Sequence, residues 1–91
     1  MNLRRSKIRV LVDILRAVEE NEMTKPTHIM YKANLSHKLL KEHLDMLSTS
    51  DFIEKMNRGN NVYYQITEKG KRFMLQYRQM EKVATGFGLT I

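Results

Sequence analysis

The 91-residue sequence predicts a mostly α-helical domain with one small β-hairpin. Two kinds of pattern support this prediction. Apolar residues recur every three or four positions in several segments, which is typical of amphipathic helices. A short segment rich in asparagine and glycine separates two alternating segments, which is typical of a hairpin. A chain of this length buries only about 60–65% of its unfolded surface, so a binding surface is expected rather than a deep enzyme cleft.

The first predicted element is an amphipathic helix over residues 1–22. Its apolar face consists of Ile8, Leu11, Leu15 and Val18 and is widened by Ile14. Four cations precede the first acidic residue, Asp13: Arg4, Arg5, Lys7 and Arg9. Cations oppose the partial positive charge of a helix N-terminus, at a cost of about 0.3–1 kcal/mol each. The cluster is therefore either a solvated helix start or an arm that contacts phosphates.

A helix-turn-helix unit is predicted in the segment THIMYKANLSHKLLKEHLDML. Pro26 is suited to the first position of the first helix, and Asn34 can end that helix in a left-handed conformation. Ser36 is a suitable N-cap for the second helix, which extends to about Ser48. One side of the second helix is apolar, with Leu40, Leu44 and Leu47. The other side carries Lys38, Lys41, Glu42 and Asp45. In such a unit the second helix can lie in the DNA major groove.

No metal site or cofactor is expected. His37 and His43 are six residues apart, whereas two ligands on one helix face are three or four apart. The sequence has no cysteine, which excludes a disulfide framework and a thiolate metal site.

Residues 52–66 predict a β-hairpin. Its strands are predicted as 52–56 and 62–66, and Asn57 to Asn61 connect them with residues that accept positive φ. Strand alternation places Tyr64 and Ile66 on one face and Tyr63 on the other, towards solvent or a partner.

The last predicted helix covers residues 67–84, with Thr67 as its N-cap. Its apolar stripe either covers the first helix, which is favoured, or pairs with a copy of itself: Phe73, Tyr77, Met80 and Ala84. Three cations lie in its first turn, where they bring no advantage to the free protein: Lys69, Lys71 and Arg72. Residues 1–84 are predicted as the domain and 85–91 as a short apolar tail that packs back or frays.

The overall charge favours an anionic partner. The formal net charge is +6 and the isoelectric point is about 9.8, which suits DNA, RNA or an acidic membrane surface. No apolar run is long enough to span a membrane, and the basic start lacks a signal-peptide cleavage site. These features predict a cytoplasmic, nucleoid-associated protein without a small-molecule substrate.

The predicted order of elements is that of a winged helix-turn-helix with an added C-terminal helix. The segments THIMYKANLSHKLLKEHL, DFIEK and YYQITEKGKRFM resemble the archaeal winged helix-turn-helix family that includes the small crenarchaeal ten-kilodalton chromatin proteins. The resemblance covers roughly residues 6–82. It implies DNA binding without catalysis or a cofactor, with helix 36–48 as recognition helix and residues 57–61 as wing.

The resemblance also implies a homodimer formed through the C-terminal helix, as an antiparallel coiled coil in the chromatin-type members. The predicted helix offers only about two heptads for such a seam, which is short for a coiled coil. Asp51 occupies a position where related sequences usually have glycine, so it is expected to adopt a turn conformation at some cost.

The predicted function is double-stranded DNA binding by a transcriptional regulator. The predicted DNA-contacting residues are Ser36, His37, Lys38, Lys41, Glu42, Arg58, Asn60, Arg4, Arg5, Lys32, Lys69, Lys71 and Arg72. The predicted dimer interface consists of Phe73, Tyr77, Met80 and Ala84.

Several alternatives remain open. Mixed charge on helix 36–48 favours base reading over pure packaging, because a carboxylate accepts from cytosine N4 but repels phosphates. One alternative is a non-specific, chromatin-type DNA-binding protein. Another is a module that docks partner proteins, because the apolar residues Leu39 and Met46 flank the buried stripe of the helix. An RNA-binding domain is disfavoured because neither an RNP-type aromatic strand nor a GXXG loop is present. An enzyme is the weakest alternative, since no nucleophile–base grouping is recognisable.

Overall fold

The computed structural model describes residues 5–91 and confirms the predicted fold class, a mostly α-helical winged helix-turn-helix with a C-terminal helix. The elements are α1 (Lys7–Glu19), α2 (Pro26–Ala33), α3 (His37–Thr49), β1 (Ile53–Arg58), β2 (Asn61–Ile66) and α4 (Glu68–Gly86). Arg4, a predicted DNA-contacting residue, lies outside the described residues. Within residues 5–91, no helix is long and apolar enough to cross a membrane.

Helix α1 lies at the centre of the fold and packs against α2, β2 and α4. Its buried residues are Val12, Ile14, Leu15, Ala17 and Val18. The predicted apolar face is therefore wrong at its start, because Ile8 is 45% exposed and Leu11 is only partly buried. Neighbours on several sides of α1 bury a wider arc than a single amphipathic stripe.

Local capping fixes where the helices begin. The hydroxyl of Ser36 accepts a hydrogen bond from the N–H of Leu39 (3.2 Å), and that of Thr67 accepts from Gly70 (3.1 Å). Both predicted N-caps are confirmed. Helix α1 begins at Lys7, not at residue 1, because Ser6 caps it by accepting from the N–H of Arg9 (3.1 Å).

Two helices end in a left-handed residue, as predicted. Asn34 has φ 53° and Asp51 has φ 64°. After α3, the N–H of Phe52 donates to the carbonyl of Leu47 (2.9 Å), and the N–H of Asp51 donates to the carbonyl of Ser48 (3.1 Å). This is the Schellman arrangement, for which glycine is the usual residue at the left-handed position. Asp51 therefore adopts the costly conformation that the sequence led us to expect.

The hairpin is longer and its turn tighter than predicted. Its strands reach Arg58 and Asn61, which pair directly, so only Gly59 and Asn60 form the turn. Gly59 has φ 60°, a value that glycine adopts without strain. The predicted loop 57–61 is thus mostly strand.

The base of the hairpin is joined to the segment between α1 and α2. The N–H of Thr24 donates to the carbonyl of Tyr64 (2.9 Å), and the N–H of Tyr64 donates to the carbonyl of Thr24 (2.8 Å). Thr24 is 2% exposed, and its hydroxyl donates to the carbonyl of Val18 (3.2 Å). No local pattern in the sequence predicts this third partner for the sheet.

The predicted packing of the α4 stripe into the core is confirmed at Tyr77 and Ala84 and is wrong at Met80. Its buried residues are Gly70, Met74, Tyr77 and Ala84. Met80, predicted within the stripe, is 63% exposed, whereas the unpredicted Met74 is fully buried. Phe73 is partly buried and packs edge-on against Phe52, with ring centroids 5.5 Å apart. The prediction chose the wrong face at Met80 because apolar residues occur on two sides of α4.

The C-terminal tail folds back on α4, which extends to Gly86 instead of the predicted end at residue 84. The hydroxyl of Tyr77 donates to the carbonyl of Ile91 (3.1 Å), and the N–H of Leu89 donates to Ala84 (2.8 Å). Ile91 packs against the core, while Phe87 and Leu89 stay exposed.

Candidate nucleic-acid interface

The outer face of α3 is polar and solvent-exposed. It presents Ser36, His37, Lys38, Lys41 and Glu42. On the opposite side, Leu40, Leu44 and Leu47 are buried in the core. Among the described residues, neither lysine of this face has a carboxylate within the 4.0 Å limit of an ion pair. One side of α3 is therefore packed into the core, and the other side presents charged groups that are available to a partner.

The tip of the hairpin projects next to α3. Strand β1 packs against α3, and Ile53 at its base is buried. Arg58 and Asn60 at the tip are exposed, and among residues 5–91 only the chain neighbours of Gly59 come within 4 Å of the position that a Cβ on it would occupy. The tip is thus a protruding, cationic wing beside the exposed face of α3.

Arg5 has partners within the chain. Its guanidinium donates to the carbonyls of Ala33 (2.6 Å) and Asn34 (3.0 Å), and it forms an ion pair with Asp13 (2.9 Å). The two carbonyls lie at the C-terminus of α2, where a cation is favourable. Arg5 therefore connects the segment before α1 to the turn of the helix-turn-helix unit.

The cations at the start of α4 also have intramolecular roles. The ammonium of Lys69 donates to the carbonyl of Ser50 at the end of α3 (2.7 Å) and lies 4.7 Å from the ring centroid of Phe52. Lys71 pairs with Glu68 (3.5 Å). The expectation that these cations bring no advantage to the free protein is wrong for Lys69, because it serves the C-terminus of a different helix.

The remaining predicted contacts lie outside the α3 face. Lys32 is 3.8 Å from Glu20, in an exposed pair on α2 and the end of α1. Arg72 is exposed on α4. Lys7, which belonged to the basic start of α1, lines a shallow recess with Glu42, His43 and Met46 of α3. The structure therefore brings the start of α1 close to α3, a proximity that the sequence could not show.

A cleft lies between α3, the start of α2 and the inner face of the hairpin. Tyr64 forms part of its floor and is 6% exposed. Burial, with a smaller contribution from the carboxylate of Asp45, raises the pKa of the Tyr64 hydroxyl. That hydroxyl therefore stays neutral. Among residues 5–91, no group of histidine or carboxylate side chains could hold a metal ion.

The sequence and the fold are both similar to known proteins. Residues 4–85 match the winged helix-turn-helix family. The sequence is 36% identical over 70 residues to an uncharacterized protein from Methanocaldococcus jannaschii. That match covers 77% of this chain and 31% of the other protein, so the chain spans about a third of the length of this relative.

Among solved structures, the chain is similar to Sso10a-2, a DNA-binding protein from Sulfolobus solfataricus. The TM-score is 0.79 and the identity 24%, over 91% of this chain and 85% of the other. It is also similar to a MarR family protein from Bacillus stearothermophilus, with a TM-score of 0.70 and 15% identity, over 92% and 60% of the two chains. The resemblance inferred from the sequence is confirmed, and the chain belongs to the winged helix-turn-helix family.

Proposed function

We propose that this protein binds double-stranded DNA as a transcriptional regulator, with α3 in the major groove. The observation that carries the proposal is the exposed face of α3, where Lys38, Lys41 and Glu42 form no ion pair with any side chain of residues 5–91. Lysine can donate to guanine O6 and N7, and a carboxylate can accept from cytosine N4. A face with both charges suits base reading better than neutralisation of phosphates alone.

The wing supplies the second contact of this proposal. Arg58 and Asn60 lie at the exposed tip beside α3, where they reach the phosphate backbone or the minor groove. Ser36 and His37 lie at the start of α3, whose free N–H groups attract phosphates. The net charge of +6 supports DNA binding through long-range attraction to the phosphate backbone. Sso10a-2, which has the same fold, is a DNA-binding protein.

A titration with double-stranded DNA of random sequence, and with transfer RNA as competitor, tests this function at two salt concentrations. We expect DNA to bind more tightly than transfer RNA, with affinity falling as salt rises. Selection of bound sequences is then expected to enrich one motif. Absence of DNA binding at low salt would refute the proposal, and binding without an enriched motif would favour a chromatin-type role.

A second candidate function is docking of a partner protein by the helix-turn-helix unit. Tyr31 is 81% exposed, and tyrosine commonly anchors protein contacts; Leu39, 45% exposed, adds apolar surface on α3. Tyr31→Ala and Leu39→Ala are expected to leave DNA affinity nearly unchanged if DNA is the only partner. Loss of a co-purified protein in both variants, with DNA affinity retained, would support the second function.

Removal of the wing arginine should weaken binding without changing sequence preference. Arg58→Ala is expected to lower the slope of log affinity against log salt by about 0.9, the value for one phosphate contact. Lys82→Ala is a matched control, since Lys82 is an exposed cation on α4, away from α3 and the wing. An unchanged slope in Arg58→Ala would remove the wing tip from the interface.

We also propose that the protein forms a homodimer through α4. Five of the eight exposed large apolar residues among residues 5–91 lie on α4 and its tail: Leu75, Met80, Val83, Phe87 and Leu89. Met80, Val83 and Phe87 follow the three- and four-residue spacing of a helical seam. Of the sequence-predicted dimer residues, Tyr77 and Ala84 are buried within the chain and only Met80 is freely exposed. The proposed seam is therefore the neighbouring face of the same helix.

Sedimentation equilibrium tests the dimer directly. At tens of micromolar we expect a species of twice the 10.8 kDa chain mass for the wild-type protein. Val83→Glu should shift this species to monomer, because it places a charge within the apolar seam. Thr85→Glu introduces the same residue on another side of the helix and should stay dimeric. A wild-type protein that sediments only as monomer, with and without DNA, would overturn the dimer.

A further inference from the structure

The cleft between α2, α3 and the hairpin has the form of a small-ligand site. Its volume is about 240 Å³, and one side is open to solvent. Its walls are mainly apolar: Pro26, Met30, Leu40, Leu44, Val62 and Tyr64. An apolar cavity of about 150 Å³ is enough to hold benzene. The cleft therefore has room for one substituted ring or two fused rings.

Two lysines contribute to the lining of this apolar cleft, one from each side. Lys41 comes from α3 and Lys55 from β1. Lys55 lies opposite Tyr64 in the sheet register, so its side chain is on the same hairpin face as the buried Ile53. In the part of the chain that the structure describes, neither lysine forms an ion pair. Two uncommitted cations beside apolar walls match a ligand with an apolar body and one anionic end.

We propose that this cleft binds a compact aromatic carboxylate. The ring packs among Met30, Leu44 and Tyr64, where sulfur and aromatic contacts favour a flat π-system. The carboxylate lies between the ammonium groups of Lys41 and Lys55. A phosphate-like ion alone would leave the apolar walls without a partner, so the apolar body is as necessary as the charge.

Such a ligand would act on DNA binding through Lys41. This lysine belongs to the proposed DNA-reading face, so a carboxylate bound to it competes with DNA for the same ammonium group. The ligand would also bridge α3 to β1 and fix the angle between helix and wing. This consequence rests on the proposed DNA-binding function, whereas ligand binding itself does not.

Binding is tested without DNA, using 2-naphthoate as the probe and 2-naphthamide as its uncharged analogue. In two-dimensional NMR spectra we expect naphthoate to shift the amide signals of Met30, Leu44 and Val62, and naphthamide to bind at least several-fold more weakly. Lys55→Gln should weaken naphthoate roughly tenfold, the factor expected for one charge-assisted hydrogen bond. Lys82→Gln, a neutralised exposed lysine on α4, should bind naphthoate like the wild type.

Three results would overturn the ligand site: no shift at millimolar naphthoate, equal binding of naphthamide, or unchanged binding in Lys55→Gln. The last result would leave Lys55 as an inward charge that only protects the free edge of β1 from pairing. A second experiment adds naphthoate to the protein–DNA complex. Release of DNA from the wild type at lower naphthoate concentration than from Lys55→Gln supports the regulatory consequence, and retention of DNA in both overturns it. If the protein binds no DNA, only the proposed function fails, and the first experiment still decides the ligand site.

Discussion

Gly70→Ala is expected to lower the free energy of unfolding by about 2–3 kcal/mol, at the upper end of the cost of overpacking. A Cβ at this position would overlap the carbonyl oxygen of Phe52 and lie 2.7 Å from Cγ1 of Ile66. The Phe52 carbonyl also accepts from the N–H of Thr67 (3.1 Å), so it cannot turn aside without breaking a hydrogen bond. Glycine here allows the first turn of α4 to approach the backbone between α3 and β1.

Urea and thermal unfolding, followed by circular dichroism, measure this effect. For a domain of this size each 1 kcal/mol shifts the melting temperature by about 4–8 °C, so a decrease of more than 8 °C is expected. Gly86→Ala is the control, because its added Cβ would meet no described residue within 4 Å beyond its chain neighbours and the adjacent turn of its own helix. That control should be close to neutral, since Gly86 is the last residue of α4 and alanine favours a helix only slightly more than glycine there. Equal stabilities of the two variants would contradict the close approach at Gly70.

The largest expected effects on DNA binding come from Lys38→Ala and Lys41→Ala. Each should weaken binding to the selected DNA sequence by about 1–3 kcal/mol if the lysine contacts a base, and relax preference at one position. If the lysine contacts only phosphate, the loss should be similar for all sequences. Fluorescence anisotropy with the selected site and with single-base variants of it separates these two outcomes.

Lys82→Ala serves again as the charge-matched control, because it removes one exposed lysine from α4 without touching α3. Circular dichroism should show that all three variants keep the wild-type helix content, since the replaced side chains are exposed. Unchanged DNA affinity after replacing both Lys38 and Lys41 would refute the assignment of α3 as the recognition helix. The wing and the dimer would then have to be tested as separate proposals.

Features that depend on neighbouring residues were predicted well from the sequence. Ser36 and Thr67 cap the helices that follow them, and Asn34 ends α2 in the predicted left-handed conformation. Each of these depends on contacts within three or four residues, for which residue type and position are sufficient. The order of helices and hairpin, and hence the fold class, follows from these local signals combined with the hydrophobic pattern.

Features that depend on distant residues were not predicted. Arg5 contacts carbonyls 28 and 29 residues away, and Lys69 contacts one 19 residues away. No local pattern distinguishes these cations from others that lie free in solvent. The buried face of α4 was misjudged at Met80 for a related reason, because the choice between two apolar faces depends on which one meets α1. The candidate site was therefore better defined on α3, where one face is clearly apolar, than at the helix starts.

The double hydrogen bond between Thr24 and Tyr64 divides the hairpin into parts of unequal stability. Its base can separate from the core only by breaking two main-chain bonds and exposing the buried hydroxyl of Thr24. The tip around Gly59 has no such bond to the other described elements. Amide hydrogen exchange should therefore be slow at Tyr64, at a rate set by global unfolding, and fast at the tip. If the proposed DNA-binding role holds, adaptation to grooves of different width is expected only in the last few residues of the wing, while the base keeps a fixed angle to α3.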